Sequence, residues 1–173
     1  MKIVLVLHNI RATGNVGSIL RTADGFGVFE VVFSGYTPRY QDERVLPHLR
    51  EKLNKQIEKT ALGAEKTVKN YACDDIILEF KKWKKEGYKI VGLENNIEDK
   101  RLIMLTAKNF GEIKRRVGEK VVLVLGEEVN GIDYSLYDMI DTFLEIPMRG
   151  QKESFNVAIA TGIALFGLIC AAG

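Results

Sequence analysis

The chain is poor in the residues that mark metal, redox and disulfide chemistry. It carries two cysteines and two histidines among 173 residues. Cys73, Cys170, His8 and His48 stand apart, without the close spacings that hold zinc or build a dithiol centre. Neither a disulfide scaffold nor a metal site is expected, and a reducing, cytoplasmic compartment fits. With three prolines, and no stretch rich in Pro, Gly or Ser, no linker divides the chain. M-K-I-V-L-V-L-H runs straight into the polar N-I-R-A-T, so a first strand is expected there rather than a signal peptide. A large excess of one charge is also absent: 25 basic residues face 23 acidic ones.

The last twenty residues, from Ser154 to Gly173, carry no charge, about the length of a membrane span. Asn156 and Thr161 interrupt this stretch, Ala and Gly fill much of it, and no basic flank follows. A buried helix of small residues is therefore expected rather than a membrane anchor. Charge is also unevenly placed. From Val121 onward, Arg149 and Lys152 oppose seven acidic residues, leaving 23 basic and 16 acidic residues in the first 120. A basic front half suits a polyanion, because phosphate contacts come mainly from Lys and Arg. The plainer alternative is a solvated helical surface.

Short β-branched runs alternate with helical patterns. Strands are predicted at Lys2–His8, Glu30–Ser34, Tyr88–Leu93, Val121–Leu125 and Thr142–Ile146. Helices are predicted at Val16–Gly25, Leu46–Lys59, Asp74–Glu86, Ala107–Arg116 and Phe155–Ala171. Such alternation implies a single α/β domain whose parallel sheet is covered on both faces. Val121–Leu125 is apolar throughout, as a central parallel strand should be.

Ligands of open α/β sheets collect at the carboxyl ends of the strands. Three polar clusters follow predicted strands. In G-N-V-G-S-I-L-R-T-A, Asn15 can cap a helix, Gly17 permits close approach, and Arg21 offers five donors to phosphate or carboxylate. Without further context this is a capped helix with one surface Arg. In L-G-E-E-V-N-G, Gly126 and Gly131 bracket a tight loop holding Glu127 and Glu128, but neither phosphate-loop arrangement is present. In I-P-M-R-G-Q-K-E-S-F-N-V-A, Ser154 suits a helix cap. Asn156, two positions into an apolar helix, should be unfavourable unless bonded.

Together the clusters resemble the three motifs of the SpoU (TrmH) branch of the SPOUT methyltransferases. Asn15, Gly17, Arg21 and Ala23 fill the pattern N-x-G-x-x-x-R-x-A. Gly126, Glu128 and Gly131 fill G-x-E-x-x-G, while Ile146, Pro147, Met148, Ser154, Phe155, Asn156 and Val157 match I-P-M followed by S-[LF]-N-V. T-A-L-G-A at Thr60–Ala64 is similar to a further family segment. Two departures are Glu127, where a small polar residue is common, and Phe155, where Leu is commoner.

The resemblance implies an α/β knot, with the C-terminal part threaded into a deep trefoil, something no general rule of chain topology would suggest. It implies S-adenosylmethionine bound within that knot near Leu93, Gly126, Ile146, Met148, Ser154 and Phe155, Leu93 being placed by its position at a strand's end. It also implies methyl transfer to a ribose 2′-hydroxyl of tRNA or rRNA without a metal. Arg21 would fix the substrate phosphate and act electrostatically, since a guanidinium stays protonated and is a poor base. Asn15 and Asn156 would orient Arg21 or the ribose, Glu128 would brace the loop, and Ser154 would touch the cofactor or the site's backbone. A homodimer with a shared site is implied too, and the apolar C-terminal helix suits its interface. The chain is expected to be one methyltransferase domain without a separate RNA-binding domain, so RNA contacts would fall on the domain itself. Candidates are Arg11, Arg39, Arg44, Arg50, Lys52 and K-K-W-K-K, where Trp83 would stack on a base or lie buried beneath a basic face. The alternative functions are a catalytically silent knotted RNA-binding module and an RNA base methyltransferase.

Overall fold

The computed structural model, which describes residues 1–173, builds one seven-stranded sheet from the apolar runs. Its strands are β1 (Lys2–His8), β2 (Glu30–Ser34), β3 (Asn70–Cys73), β4 (Lys89–Leu93), β5 (Leu102–Met104), β6 (Lys120–Leu125) and β7 (Thr142–Glu145). All neighbours pair in parallel, in the order β3-β2-β1-β6-β4-β7-β5. Alternation along each strand decides which face it feeds. Ile3, Leu5 and Leu7 of β1, with Val121, Leu123 and Leu125 of β6, enter the larger core cluster. Val4, Val6, Val122 and Val124 enter the smaller cluster on the other face. Each of these side chains contributes about 1.5–3 kcal/mol by leaving water.

Six α-helices cover the sheet: α1 (Thr13–Gly25), α2 (Pro47–Ala61), α3 (Ala64–Thr67), α4 (Ile76–Lys85), α5 (Phe110–Val117) and α6 (Val157–Ala172). Buried side chains of α1, α2, α5 and α6 join the larger cluster, while Phe80 and Trp83 of α4 join the smaller. Gly17 lets α1 lie directly on α2, because an added Cβ would run into Thr60 Oγ1 and the Ile57 carbonyl oxygen. The same Thr60 hydroxyl donates to the Gly14 carbonyl oxygen at 3.1 Å. Leu62 and Gly63, both at positive φ, then stop α2, which gives the T-A-L-G-A segment its structural role.

Two expectations about helix starts need correction. α1 begins at Thr13 with Ala12 as its cap, so Asn15 lies inside the first turn and is not the cap. α6 is capped by Asn156, whose Oδ1 accepts from the Ala158 N–H at 2.9 Å, and not by Ser154. A cap position resolves the apparent penalty of a polar residue there. At 16 residues α6 is short, and no helix is long and apolar enough to cross a membrane. Trp83 is buried, so it serves the core and has no face free for a base. Late strands are inserted between earlier ones, β6 between β1 and β4, and β7 between β4 and β5. That insertion brings the three polar clusters to one end of the sheet.

Candidate active site

At the carboxyl ends of β4, β6 and β7 a cavity of about 520 Å³ opens. Leu93, Leu125, Ile146 and Phe155 supply apolar wall, and Glu94, Asn95, Glu127, Glu128, Ser154 and Asn156 supply polar groups. One wall is the loop after β6. Glu127 and Gly131 exchange both backbone hydrogen bonds, at 2.9 and 3.0 Å, and close that loop into a narrow ring. Gly126 must stay bare, since a Cβ there would enter the backbone of Gly131 and Ile132.

One chain of side-chain amides joins all three polar clusters. Asn156 Nδ2 donates to Asn15 Oδ1 at 3.0 Å, and Asn15 Nδ2 donates to Glu128 Oε1 at 2.9 Å. Glu128 also accepts the backbone N–H groups of Arg11 (3.3 Å) and Ala12 (3.4 Å), just before α1. Since α1 has no side-chain cap of its own, this carboxylate serves its amino end from more than a hundred residues away. Burial pulls the Glu128 carboxyl upward, but the Asn15 amide and the backbone N–H donors outweigh it, leaving it below its ordinary value.

Glu127 meets the Arg11 guanidinium at 2.7 Å, and Arg11 Nε donates to the Tyr36 hydroxyl at 3.4 Å. The loop after β6 is thus tied to the loops after β1 and β2. On the opposite wall Asn95 Nδ2 donates to the Ile146 carbonyl at 3.0 Å, while its Oδ1 accepts from the Ile146 N–H at 3.3 Å. Both Asn95 and Asn96 donate to the Glu153 carbonyl, fixing the segment that carries Ser154 and Phe155. Glu94 accepts from Ile132 N–H at 2.7 Å and from Asn95 N–H at 3.2 Å. Burial pushes its carboxyl up, against the pull of those two donors.

Of the residues singled out in the sequence, Leu93, Gly126, Glu128, Ile146, Ser154, Phe155 and Asn156 line the cavity. Asn15 is joined to its rim through Asn156 and Glu128. Met148 is half-buried and does not line it. Arg21 is exposed on α1, outside the cavity, with no hydrogen bond or ion pair to its own chain. Glu94, Asn95 and Asn96 join the site beyond the expected Leu93, a polar triplet directly after a strand being their signal in the sequence. Tyr134, outside the three motifs, stands at the cavity's edge with its ring stacked 4.6 Å from Tyr137.

The model of the SpoU rRNA methylase family matches residues 2–166. The chain belongs to that family. Among relatives of this SpoU family member, the 23S rRNA (guanosine-2′-O-)-methyltransferase RlmB of Pseudomonas aeruginosa is 28% identical over 167 residues. That match covers 96% of this chain but 58% of the relative. The tRNA (guanosine(18)-2′-O)-methyltransferase of Aquifex aeolicus is 26% identical over 164 residues, covering 95% of this chain and 67% of the relative. In three dimensions the SpoU family member is similar to the AdoMet-bound rRNA methyltransferase from Sinorhizobium meliloti. Their TM-score is 0.73 at 22% identity, over 96% of this chain and 55% of that one. This likeness shows a shared fold. The chain spans less than three-fifths of the length of the RlmB relative it matches.

Proposed function

We propose that this SpoU family member transfers a methyl group from S-adenosylmethionine to a ribose 2′-hydroxyl of RNA, either tRNA or rRNA. The observation that carries the reading is the Asn156–Asn15–Glu128 chain at the rim of a cavity large enough for a nucleoside-sized ligand. The cavity suits the cofactor. Bare backbone at Gly126 permits close approach, Leu93, Ile146 and Phe155 offer apolar surface, and Ser154 and Asn156 stand beside them. Bound there, S-adenosylmethionine supplies an electrophilic sulfonium methyl.

The chain's own groups hold and orient the other reactant. Asn15 and Asn156, locked by their mutual hydrogen bond, present polar edges toward a ribose without needing to reorganise. Glu128 keeps the loop after β6 against the start of α1, so cofactor loop and substrate groups stay in register. Arg21 fixes a backbone phosphate and steadies charge as the hydroxyl loses its proton to that phosphate. Reading phosphate and sugar tolerates many bases. A base methyltransferase is disfavoured because three of the four carboxylates at the cavity, all but the exposed Glu153, are engaged. Glu128 and Glu94 bind backbone N–H groups, and Glu127 pairs with Arg11.

The reading extends to a homodimer with a shared site and to a knotted path through the inserted strands β6 and β7. Ile159, Phe166 and Ile169 make an exposed apolar stripe on α6, at 57%, 60% and 39% exposure. Arg21 is uncommitted in its own chain, as a side chain serving a partner's cavity would be. Work in the cytoplasm on structured RNA is the setting proposed. The test is methyl transfer from labelled S-adenosylmethionine to bulk unmodified tRNA and rRNA by wild type and Arg21→Ala. Transfer by wild type, lost in a variant that still binds cofactor, supports the reading. Wild-type turnover by Arg21→Ala contradicts it.

A further inference from the structure

The proposed function leaves open where the RNA strand beyond the target nucleotide is held. Several basic side chains in the first 120 residues are already engaged. Arg39 and Arg44 both turn to the buried carboxylate of Asp42, at 3.3 and 2.7 Å. Arg11 is held by Glu127. On α4, Lys82 pairs with Glu79 and Lys84 with Asp141.

α2 differs in carrying a whole row of basic side chains on one face. His48, Lys52, Lys55 and Lys59 follow one another at steps of four, three and four, which puts them on one helical face. All four are exposed and border an open hollow of about 430 Å³ that includes Glu51 and Gln56 and no apolar residue. Lys52 and Lys59 form no ion pair. The Lys55–Glu51 pair is 2.8 Å long, but its side chains are 71% and 70% exposed, so it yields readily to a stronger anion. At 1.5 Å per residue the stripe runs about 16 Å, enough for several phosphates.

Its place relative to the cavity is fixed. Gln56, inside the stripe, accepts from the Thr13 hydroxyl at 3.2 Å, two residues before Asn15. Gly17 and Thr60 hold the two helices in contact further along. The lysines therefore flank the start of the helix whose first turn joins the amide chain.

We infer that the His48–Lys59 face of α2 is an RNA-backbone binding surface, gripping the phosphates that flank the target nucleotide. This rests on RNA being the substrate. Free Lys side chains without apolar or aromatic neighbours suit a sequence-independent phosphate grip.

The test measures binding of the full chain to an end-labelled unmodified tRNA transcript against KCl concentration. The triple variant Lys52→Ala/Lys55→Ala/Lys59→Ala is compared with wild type and with Lys81→Ala/Lys82→Ala/Lys85→Ala of α4, on the opposite side of the sheet. At about 0.7–0.9 per phosphate contact, losing three contacts lowers the salt slope by about 2–3. From 50 to 200 mM KCl, wild type should then lose about twenty- to fortyfold more affinity than the α2 variant. The α4 variant should keep the wild-type slope, and all three proteins should bind S-adenosylmethionine equally. An unchanged slope in the α2 variant, or an equal fall in both variants, overturns the inference. Failure of the functional reading looks different: the slope changes as stated, but wild type transfers no methyl to ribose.

Discussion

Replacing Glu128 by alanine removes the contact that joins the loop after β6 to the start of α1. Three hydrogen bonds disappear: one to the Asn15 amide at 2.9 Å and two longer ones to backbone N–H groups at 3.3 and 3.4 Å. A hydrogen bond to a charged group is worth about 1.5–3 kcal/mol when shielded, but Glu128 is exposed and water replaces part of it, leaving about 1 kcal/mol. The two long bonds add about 0.5 kcal/mol together, and the negative charge at the amino end of α1 about another 0.5. The sum, about 2 kcal/mol, lowers the melting temperature of a domain this size by about 4–8 °C. Glu128→Gln keeps an acceptor and loses the charge, so its fall should be about 1–3 °C. The folded-state carboxyl lies below its ordinary value. Its contribution is therefore complete above the unfolded carboxyl range and disappears as pH falls through the lowered value. The gap between wild type and Glu128→Ala should narrow below about pH 4. Thermal melts by circular dichroism across pH measure this directly. A Glu128→Ala midpoint equal to wild type at pH 7, or a gap that widens in acid, would refute the reasoning.

Gly126→Ala should strain the ring between Glu127 and Gly131 by about 1–3 kcal/mol and weaken S-adenosylmethionine binding about tenfold or more. Calorimetry showing wild-type affinity would count against the proposed cofactor loop. The Arg44 guanidinium, with help from its backbone N–H and from Arg39, holds the Asp42 carboxyl at about 2. Asp42→Asn should therefore destabilise by about 2 kcal/mol at neutral pH, with the difference vanishing as pH falls from about 4 towards 2. Denaturant unfolding at pH 7 and in acid checks both the sign and the window. Ile159→Glu/Phe166→Glu should turn a dimer into a monomer by light scattering at micromolar concentration. A monomeric wild type would remove the shared site.

The central strands were legible because their patterns are strong: β1, β2 and β6 are almost wholly buried and read as continuous apolar runs. β3 and β5 were not, for physical reasons. They are edge strands of four and three residues, partly exposed and lacking a face that must be apolar. α1 starts three residues before the expected Val16 because the group serving its amino end, Glu128, comes from a distant loop that no local pattern reveals. Asn156 looked anomalous only while α6 was drawn from Phe155; as the cap it is in its preferred place. The residues that gather at the cavity were visible as motifs, but their linkage was not. The amide chain from Asn156 through Asn15 to Glu128 joins positions 141 and 113 residues apart. Trp83 shows the converse, a composition cue for base stacking overruled by helical spacing that turns the ring into the core.

Methyl transfer to a ribose rather than to a base can be tested directly. Unmodified tRNA and rRNA are incubated with the wild-type protein and S-adenosylmethionine, digested to nucleosides and fragmented in a mass spectrometer. The added methyl should stay with the sugar fragment, and the RNA should resist alkaline cleavage 3′ of the modified nucleotide. A methyl that travels with the base fragment would contradict transfer to the ribose.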